Sequence, residues 1–400
     1  MTNTNVKISL FPLIMAVSLA VLNTALISPA LPAMRTFYSI SVNQAQFIIL
    51  TFIVGYSISQ LLSGSLANIY GYRTFLITSI ALGVFGTAMC ILSYYTYSYS
   101  IMIIGRFING LGVSAGLVLA FAVINHFFKG KKATVSITYC QISLALVPAF
   151  SNMIGGYLTY HFGFISCFYF LFIYNTLSCI LCFKLHKSID KDKTGYFSIT
   201  TIVSELSSAF KNKKVVSNSF LYGLSLSLIY GCIITLPFIG IDYLKLNEEI
   251  YGTLFFCSYL GYFTGCLIII FTHHKIKELN FIMIGNIISI AGGIVLFLSI
   301  ISGYNSVALI FSSIFTVLLG VPFVFVSTIS LGISSHHNKA NASSVFNFIY
   351  AVFTVSILFM LTFTKGSLLL VVPLGIILLM VVSMIFFFLT INKWYKNKIE

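Results

Sequence analysis

Long apolar runs alternate along the chain with short polar breaks, and each run is close to the length that crosses a bilayer. A spanning helix needs about 20 mostly apolar residues. Twelve such runs are present: roughly 10–34, 44–66, 74–94, 99–127, 133–158, 164–184, 216–240, 251–272, 279–302, 305–332, 340–363 and 367–391. The only long polar insert is 185–215, "LHKSIDKDKTGYFSITTIVSELSSAFKNKKV". The pattern predicts an all-α membrane protein with two six-helix bundles, 1–184 and 216–400, joined by a central loop over 185–215. Within that loop "FSITTIVSELSSAF" is expected to form a short interfacial helix. The run after Lys7 is too long for a signal-peptide core and is read as the first span.

Composition strengthens this reading. Of the 400 residues, 58% are hydrophobic and only 8% charged, against roughly 25% charged in soluble domains. Mean hydropathy is +1.02. The net charge of +14 would suggest nucleic acid if the cations were clustered, but their positions give a different account. With both termini inside, 18 of the 22 lysines and arginines fall on the cytoplasmic side and only Arg35, Lys245 and Lys365 outside. That is the positive-inside bias of a multi-pass inner-membrane protein, with anionic lipid as its partner and no nucleic acid.

The remaining cation is Arg106, in "IMIIGRFINGLG", well inside the fourth run. The eight acids are Asp190, Asp192, Glu205, Asp242, Glu248, Glu249, Glu278 and Glu400. All lie in loops, at helix ends or at the terminus. A charge at bilayer depth is costly and faces a partner or a cavity, so an arginine without an acid in any span is the main chemical puzzle of the sequence.

Other chemistry is sparse. The eight cysteines lie in apolar runs, and the lone Cys179-x-x-Cys182 has no second pair to make a metal or redox site. His273-His274 and His336-His337 read as solvated loop residues, so no metal and no cofactor are expected. No phosphate-binding glycine loop and no nucleophile–base spacing appears, so neither an ATPase nor another enzyme is expected.

Several motifs give the plan a family. The break after the second run reads "GSLANIYGYR". It resembles the signature Gly-x-Leu-Ala-Asp-x-x-Gly-x-Arg of the major facilitator superfamily, with Gly64, Leu66, Ala67, Gly71 and Arg73 matching and Asn68 in place of the acid. Its physical logic is a tight glycine turn and a cation that can meet helix ends. "RFINGLG" is similar to the arginine motif of proton-coupled exporters through Arg106, Gly110 and Gly112, with Asn109 where glutamine is usual. "VPAFSNMIGG" resembles the antiporter motif through Pro148, Gly155 and Gly156, with Ser151 and Asn152 replacing its central Gly-Pro. "SPALPAM", "LPFIGIDYLKLNEEIYGTLF" and "NKANASSVFNF" resemble the bicyclomycin-resistance branch of drug:proton antiporters.

The resemblance implies a monomeric secondary transporter whose halves rock about a midplane cavity, exporting small amphipathic molecules in exchange for protons. It assigns transport or coupling to Arg106, Asn109 and Gly110, and gating to Gly64, Asn68, Gly71, Arg73, Pro148, Asn152, Gly155 and Gly156. With no acid in any span, three routes for coupling stay open: a loop-edge acid such as Asp242, a proton path through Arg106 and a water chain, or transport that is uncoupled or driven by the substrate's own charge. Asn23, Pro29, Tyr56, Gln60, Tyr230 and Tyr350 are candidate cavity residues. Against each stands a packing alternative: Arg106 as an anchor bonded to backbone carbonyls near a helix end, and Asn23 as a contact between two helices. Gly105, Asn109, Gly112 and Gly116 form a small-residue stripe that lets a helix approach closely, as do Gly261 and Gly265. Gln44 and Gln46 are expected at the outer entrance of the second helix. Arg106 favours anionic or neutral cargo, so transport of an endogenous anion, such as a carboxylate siderophore or organic acid, is an alternative. A non-transporting membrane sensor is a second.

Overall fold

A computed structural model describes residues 10–127, 131–185, 207, 210–303, 306–335, 339–364 and 367–392. Among the described residues, twelve helices are long and apolar enough to cross a membrane. They are α1 (Phe11–Tyr38), α2 (Val42–Tyr70), α3 (Tyr72–Tyr95), α4 (Tyr99–Val113, continued by Ala115–Phe127), α5 (Lys131–Phe162) and α6 (Ile165–Phe183). The second six are α7 (Lys213–Pro237), α8 (Glu248–Thr272), α9 (Glu278–Ile301), α10 (Val307–Ser334), α11 (Lys339–Thr362) and α12 (Leu368–Phe386). The expected interfacial helix in the central loop, apart from Ser207 and Phe210, and the His336-His337 pair lie outside the described residues, as does most of the loop itself.

Two compact units result. One holds Met1–Ser151 and Leu158–Ile199, the other Asn152–Tyr157 and Thr200–Glu400. Six residues of α5 therefore group with the second unit.

Local chemistry sets the helix ends. Ser41 and Gln44 form a capping box that starts α2. Ser98, Asn212 and Asn247 cap α4, α7 and α8 through their side-chain oxygens, satisfying amides that the first turn leaves open. Gly71 separates α2 from α3 at φ 93° and ψ 144°, a conformation essentially reserved for glycine. Gly71→Ala is therefore expected to cost about 1–3 kcal/mol and to lower the midpoint of thermal unfolding in detergent.

Four helices depart from a continuous α-helix. The fourth breaks at Ser114, whose hydroxyl donates to Ser59 Oγ at 2.6 Å and Leu111 O at 3.2 Å and so competes with the helical ladder. α1 tightens into a 3₁₀ turn at Ser28–Ala30, because Pro29 has no N–H to continue the α pattern. α7 and α12 run on into π-helical turns, Phe238–Tyr243 and Phe387–Asn392. The first follows directly on Pro237.

Helices meet through small residues, as packing in lipid requires. In the first unit, a Cβ on Gly112 would lie 2.0 Å from Gly83 N, and one on Gly116 2.1 Å from Ala16 O. In the second, Gly261 and Gly265 bring α8 against Phe315 O and Leu319 O of α10. Large apolar side chains such as Ile173, Leu378 and Met360 point outward, 64–69% exposed, which suits a lipid-facing surface.

Candidate functional site

Arg106 is 1% exposed. Its guanidinium is surrounded by acceptors of the first unit. Nε donates to Ile48 O of α2 at 3.1 Å, Nη2 to Asn23 O of α1 at 3.0 Å, and Nη1 to Asn109 Oδ1 at 3.2 Å. Cζ stands 4.4 Å from the centroid of the Phe52 ring, within the range where a ring's quadrupole attracts a cation. The charge is thus balanced by carbonyl dipoles, a carboxamide and an aromatic face. These hydrogen bonds to an ionised group are the stronger kind.

Asn109 extends the contact. It is fully buried, and its Nδ2 donates to Gly83 O at 3.0 Å and to Thr87 Oγ1 at 2.9 Å, both on α3. Thr87 also accepts from Asn175 Nδ2 of α6 at 3.0 Å. Asn23 Nδ2 in turn donates to Asn175 Oδ1 at 3.1 Å and to Leu19 O at 2.8 Å. One buried network, Arg106–Asn109–Thr87–Asn175–Asn23, therefore joins α1, α3, α4 and α6, and Arg106 adds α2. Thr87 and Asn175 were not among the residues expected from the sequence. The signal was available: Asn23, Asn109 and Asn175 are carboxamides in otherwise apolar runs.

Two of the candidate cavity residues are enclosed within the first unit. Asn23 is 0% exposed because its side chain is engaged with Asn175, and Pro29 is buried in the 3₁₀ turn of α1. Gln44 completes the cap at the start of α2, and Gln46, two residues on, is buried at 1% exposure. Tyr56 stays half-buried, and its hydroxyl accepts from Gln60 Nε2 at 3.3 Å. Gly110 packs α4 onto α2: a Cβ there would fall 2.1 Å from Phe52 O.

Of the expected gating residues, Arg73 meets a helix end. Its Nε and Nη2 donate to Leu185 O at 2.7 Å and Phe183 O at 2.9 Å, closing the carbonyl end of α6. The side chains at 64 and 68 lie outside the described ones, so Gly64 and Asn68 are placed only as backbone within α2. Pro148 sits inside the continuous helix α5. Asn152, Gly155 and Gly156 are buried. Within the second unit, Cβ atoms on Gly156 and Gly252 would meet Glu248 O at 2.2 Å and Asn152 O at 2.5 Å.

The second unit is aromatic rather than ionic. Tyr350 lies 4.7 Å from the Tyr222 ring and 6.0 Å from Phe346. Tyr222 stacks on Phe325 at 4.2 Å, and Tyr262 reaches Phe325 at 6.3 Å and Tyr259 at 5.4 Å. Tyr230 is half-buried on α7, eight residues beyond Tyr222 and so on much the same face. Tyr222, Tyr259, Tyr262 and Phe325 were missed from sequence. Tyr251, Phe255, Tyr259 and Tyr262 recur at i, i+4, i+8 and i+11, the spacing of one helix face. Asp242 falls in the π turn that ends α7 and is partly exposed.

Comparison with known proteins fits this architecture. The family model described as Major Facilitator Superfamily matches residues 13–357. An uncharacterized transporter of Rickettsia felis is 24% identical over 350 residues, covering 83% of this chain and 84% of that protein. The chloramphenicol resistance protein CraA of Acinetobacter baumannii is 26% identical over 288 residues, 69% of this chain and 66% of CraA. Among solved structures, that of a D-xylose–proton symporter superposes with a TM-score of 0.76 at 14% identity, covering 94% of this chain and 96% of that one.

Proposed function

The chain belongs to the major facilitator superfamily, and from that premise we propose that it exports small, uncharged amphipathic molecules in the manner of the drug:proton antiporters that its motifs resemble. That it is an integral, multi-pass membrane transporter and not an enzyme follows from the family. The direction, cargo and coupling are the proposal, with alternating access across an inner membrane as the means.

The observation that carries the cargo class is the closure of Arg106. Its donors go to Ile48 O, Asn23 O and Asn109 Oδ1, so an anionic substrate would have to displace three good hydrogen bonds to reach it. This weighs against the carboxylate alternative. Hydrophobic cations fare no better, since a desolvated cation needs a buried partner and the acids of this sequence all lie at loops and helix ends. The rings and hydroxyls of Tyr222, Tyr230, Tyr262 and Tyr350 instead offer faces for apolar rings and donors for neutral acceptors. Similarity to CraA supports the same reading.

Proton exchange is assigned to Asp242, the acid closest to a span interior on α7. The test is flux in proteoliposomes with chloramphenicol and with cationic and anionic dyes, each with and without an imposed pH gradient. Neutral cargo is expected to move at least tenfold faster than either charged class, and its flux to respond to the gradient in the wild type but not in Asp242→Asn. Preference for a cationic dye would overturn the cargo class. Indifference to the gradient would remove the coupling.

A further inference from the structure

We propose that the second unit holds ordered water at a buried site formed by Ser225 of α7, Asn286 of α9 and Ser383 of α12. Each of the three side chains is at most 1% exposed. Among the described residues, Ser225 Oγ, Asn286 Oδ1, Asn286 Nδ2 and Ser383 Oγ make no hydrogen bond. Four orphaned polar atoms in an apolar bundle are costly, and a buried polar group left without a partner normally signals one that is not protein.

Helix register places the three at one level of the second unit. Leu221, Ile282 and Phe387 share one buried apolar cluster, with Phe220 and Phe386 packed on it. Ser225, Asn286 and Ser383 are each one turn from those residues, Ser225 and Asn286 four positions later and Ser383 four earlier. α7 and α9 are odd-numbered spans and α12 even-numbered, so these steps run in the same direction through the bilayer. The other end of the α9–α12 contact confirms the alignment: a Cβ on Gly293 would meet Ile376 Cγ2 at 2.9 Å. Two turns along each helix from that pair lie Asn286 and Ser383.

Water is the ligand whose chemistry fits. A bare carboxamide presents both a donor and an acceptor, and a water answers both while also serving two hydroxyls, within its usual two to four partners. A monovalent cation would use the oxygens only and leave Nδ2 bare, with no acid at the site to offset its charge. The first unit supplies the contrast. There the same-ordinal helices, α1, α3 and α6, carry Asn23, Thr87 and Asn175, which reach each other directly at 3.0–3.1 Å. Serines on α7 and α12 are shorter than those asparagines, and water spans the difference. A water-bridged joint can re-form when helices shift.

The test uses the full chain in lipid nanodiscs. Met380 is fully buried on α12, three residues from Ser383, and its oxidation on X-ray radiolysis needs a water beside it; Met102, equally buried in the first unit, is the control. Met380 is expected to oxidise at least fivefold faster than Met102, and Ser225→Ala/Asn286→Leu/Ser383→Ala to remove the difference. Asn286→Leu alone is expected to lower the unfolding midpoint, since it strands the two hydroxyls, and the triple variant to restore it. A rise in midpoint for Asn286→Leu, or Met380 oxidation no faster than that of Met102, means a dry site and overturns the proposal. So does a wild-type midpoint raised by sodium over choline chloride and insensitive to sodium in the triple variant, which would identify a cation.

Discussion

Arg106→Leu is expected to cost folded protein before it costs anything else. The substitution leaves Ile48 O, Asn23 O and Asn109 Oδ1 without their donor in a medium where nothing replaces it. A buried acceptor stripped of its partner costs about 1–3 kcal/mol; Ile48 O keeps the amide of its own helix, so a loss of at least about 3 kcal/mol is expected, enough to unfold a marginal bundle. Arg106→Lys keeps the charge but not the planar fork that serves three directions at once. It is expected to hold one of the three contacts and to lose about half as much. Thermal unfolding in detergent, paired with flux normalised to folded protein, separates the two roles the arginine could have. Lower midpoints in the order wild type, lysine, leucine, with flux tracking the folded fraction, fit the anchor. A leucine variant with a wild-type midpoint and no flux would instead make Arg106 part of the transport chemistry.

This changes how the sequence is read. The twelve spans were legible from hydropathy alone, because period and length suffice when the solvent is lipid. Arg73 was legible too: a cation following a glycine turn has helix-end carbonyls within reach, and it meets those of Phe183 and Leu185. Which carbonyls Arg106 bonds was not legible. Its partners include two backbone carbonyls, on Asn23 and Ile48, and a carbonyl is present at every position and marks none. Thr87 and Asn175 were equally hidden, since pairing them with Asn109 and Asn23 needs the register between helices, which one sequence does not give. The break at Ser114 depends on side chain–backbone competition that a span-length count ignores. Tyr222 and Tyr262 were passed over because 23 tyrosines and 39 phenylalanines make any one aromatic unremarkable until its neighbours are known.

The glycines of the exporter-like motif yield the second large effect. Gly110→Ala places a Cβ 2.1 Å from Phe52 O and 2.9 Å from Tyr56 N. Both obstacles are backbone, so no rotamer change relieves them. α2 must move away by about an ångström, the gap between these distances and ordinary contact. Ile48 lies one turn from Phe52 on the same helix, so the same displacement stretches the 3.1 Å bond from Arg106 Nε to Ile48 O beyond hydrogen-bonding range. Overpacking alone costs about 1–3 kcal/mol, and the strained arginine contact adds about 1.5–3 kcal/mol. Gly110→Ala is thus expected to give little folded protein and Gly110→Leu none. Gly375 in α12 has nothing within 4 Å of its built Cβ, so Gly375→Ala should leave yield and unfolding midpoint unchanged. Were Gly110→Ala to fold with a wild-type midpoint but fail in flux, the motif would serve movement and not close packing. The coupling drawn here predicts the reverse, because the glycine and the arginine hold the same two helices together, one by yielding space and the other by filling it with hydrogen bonds.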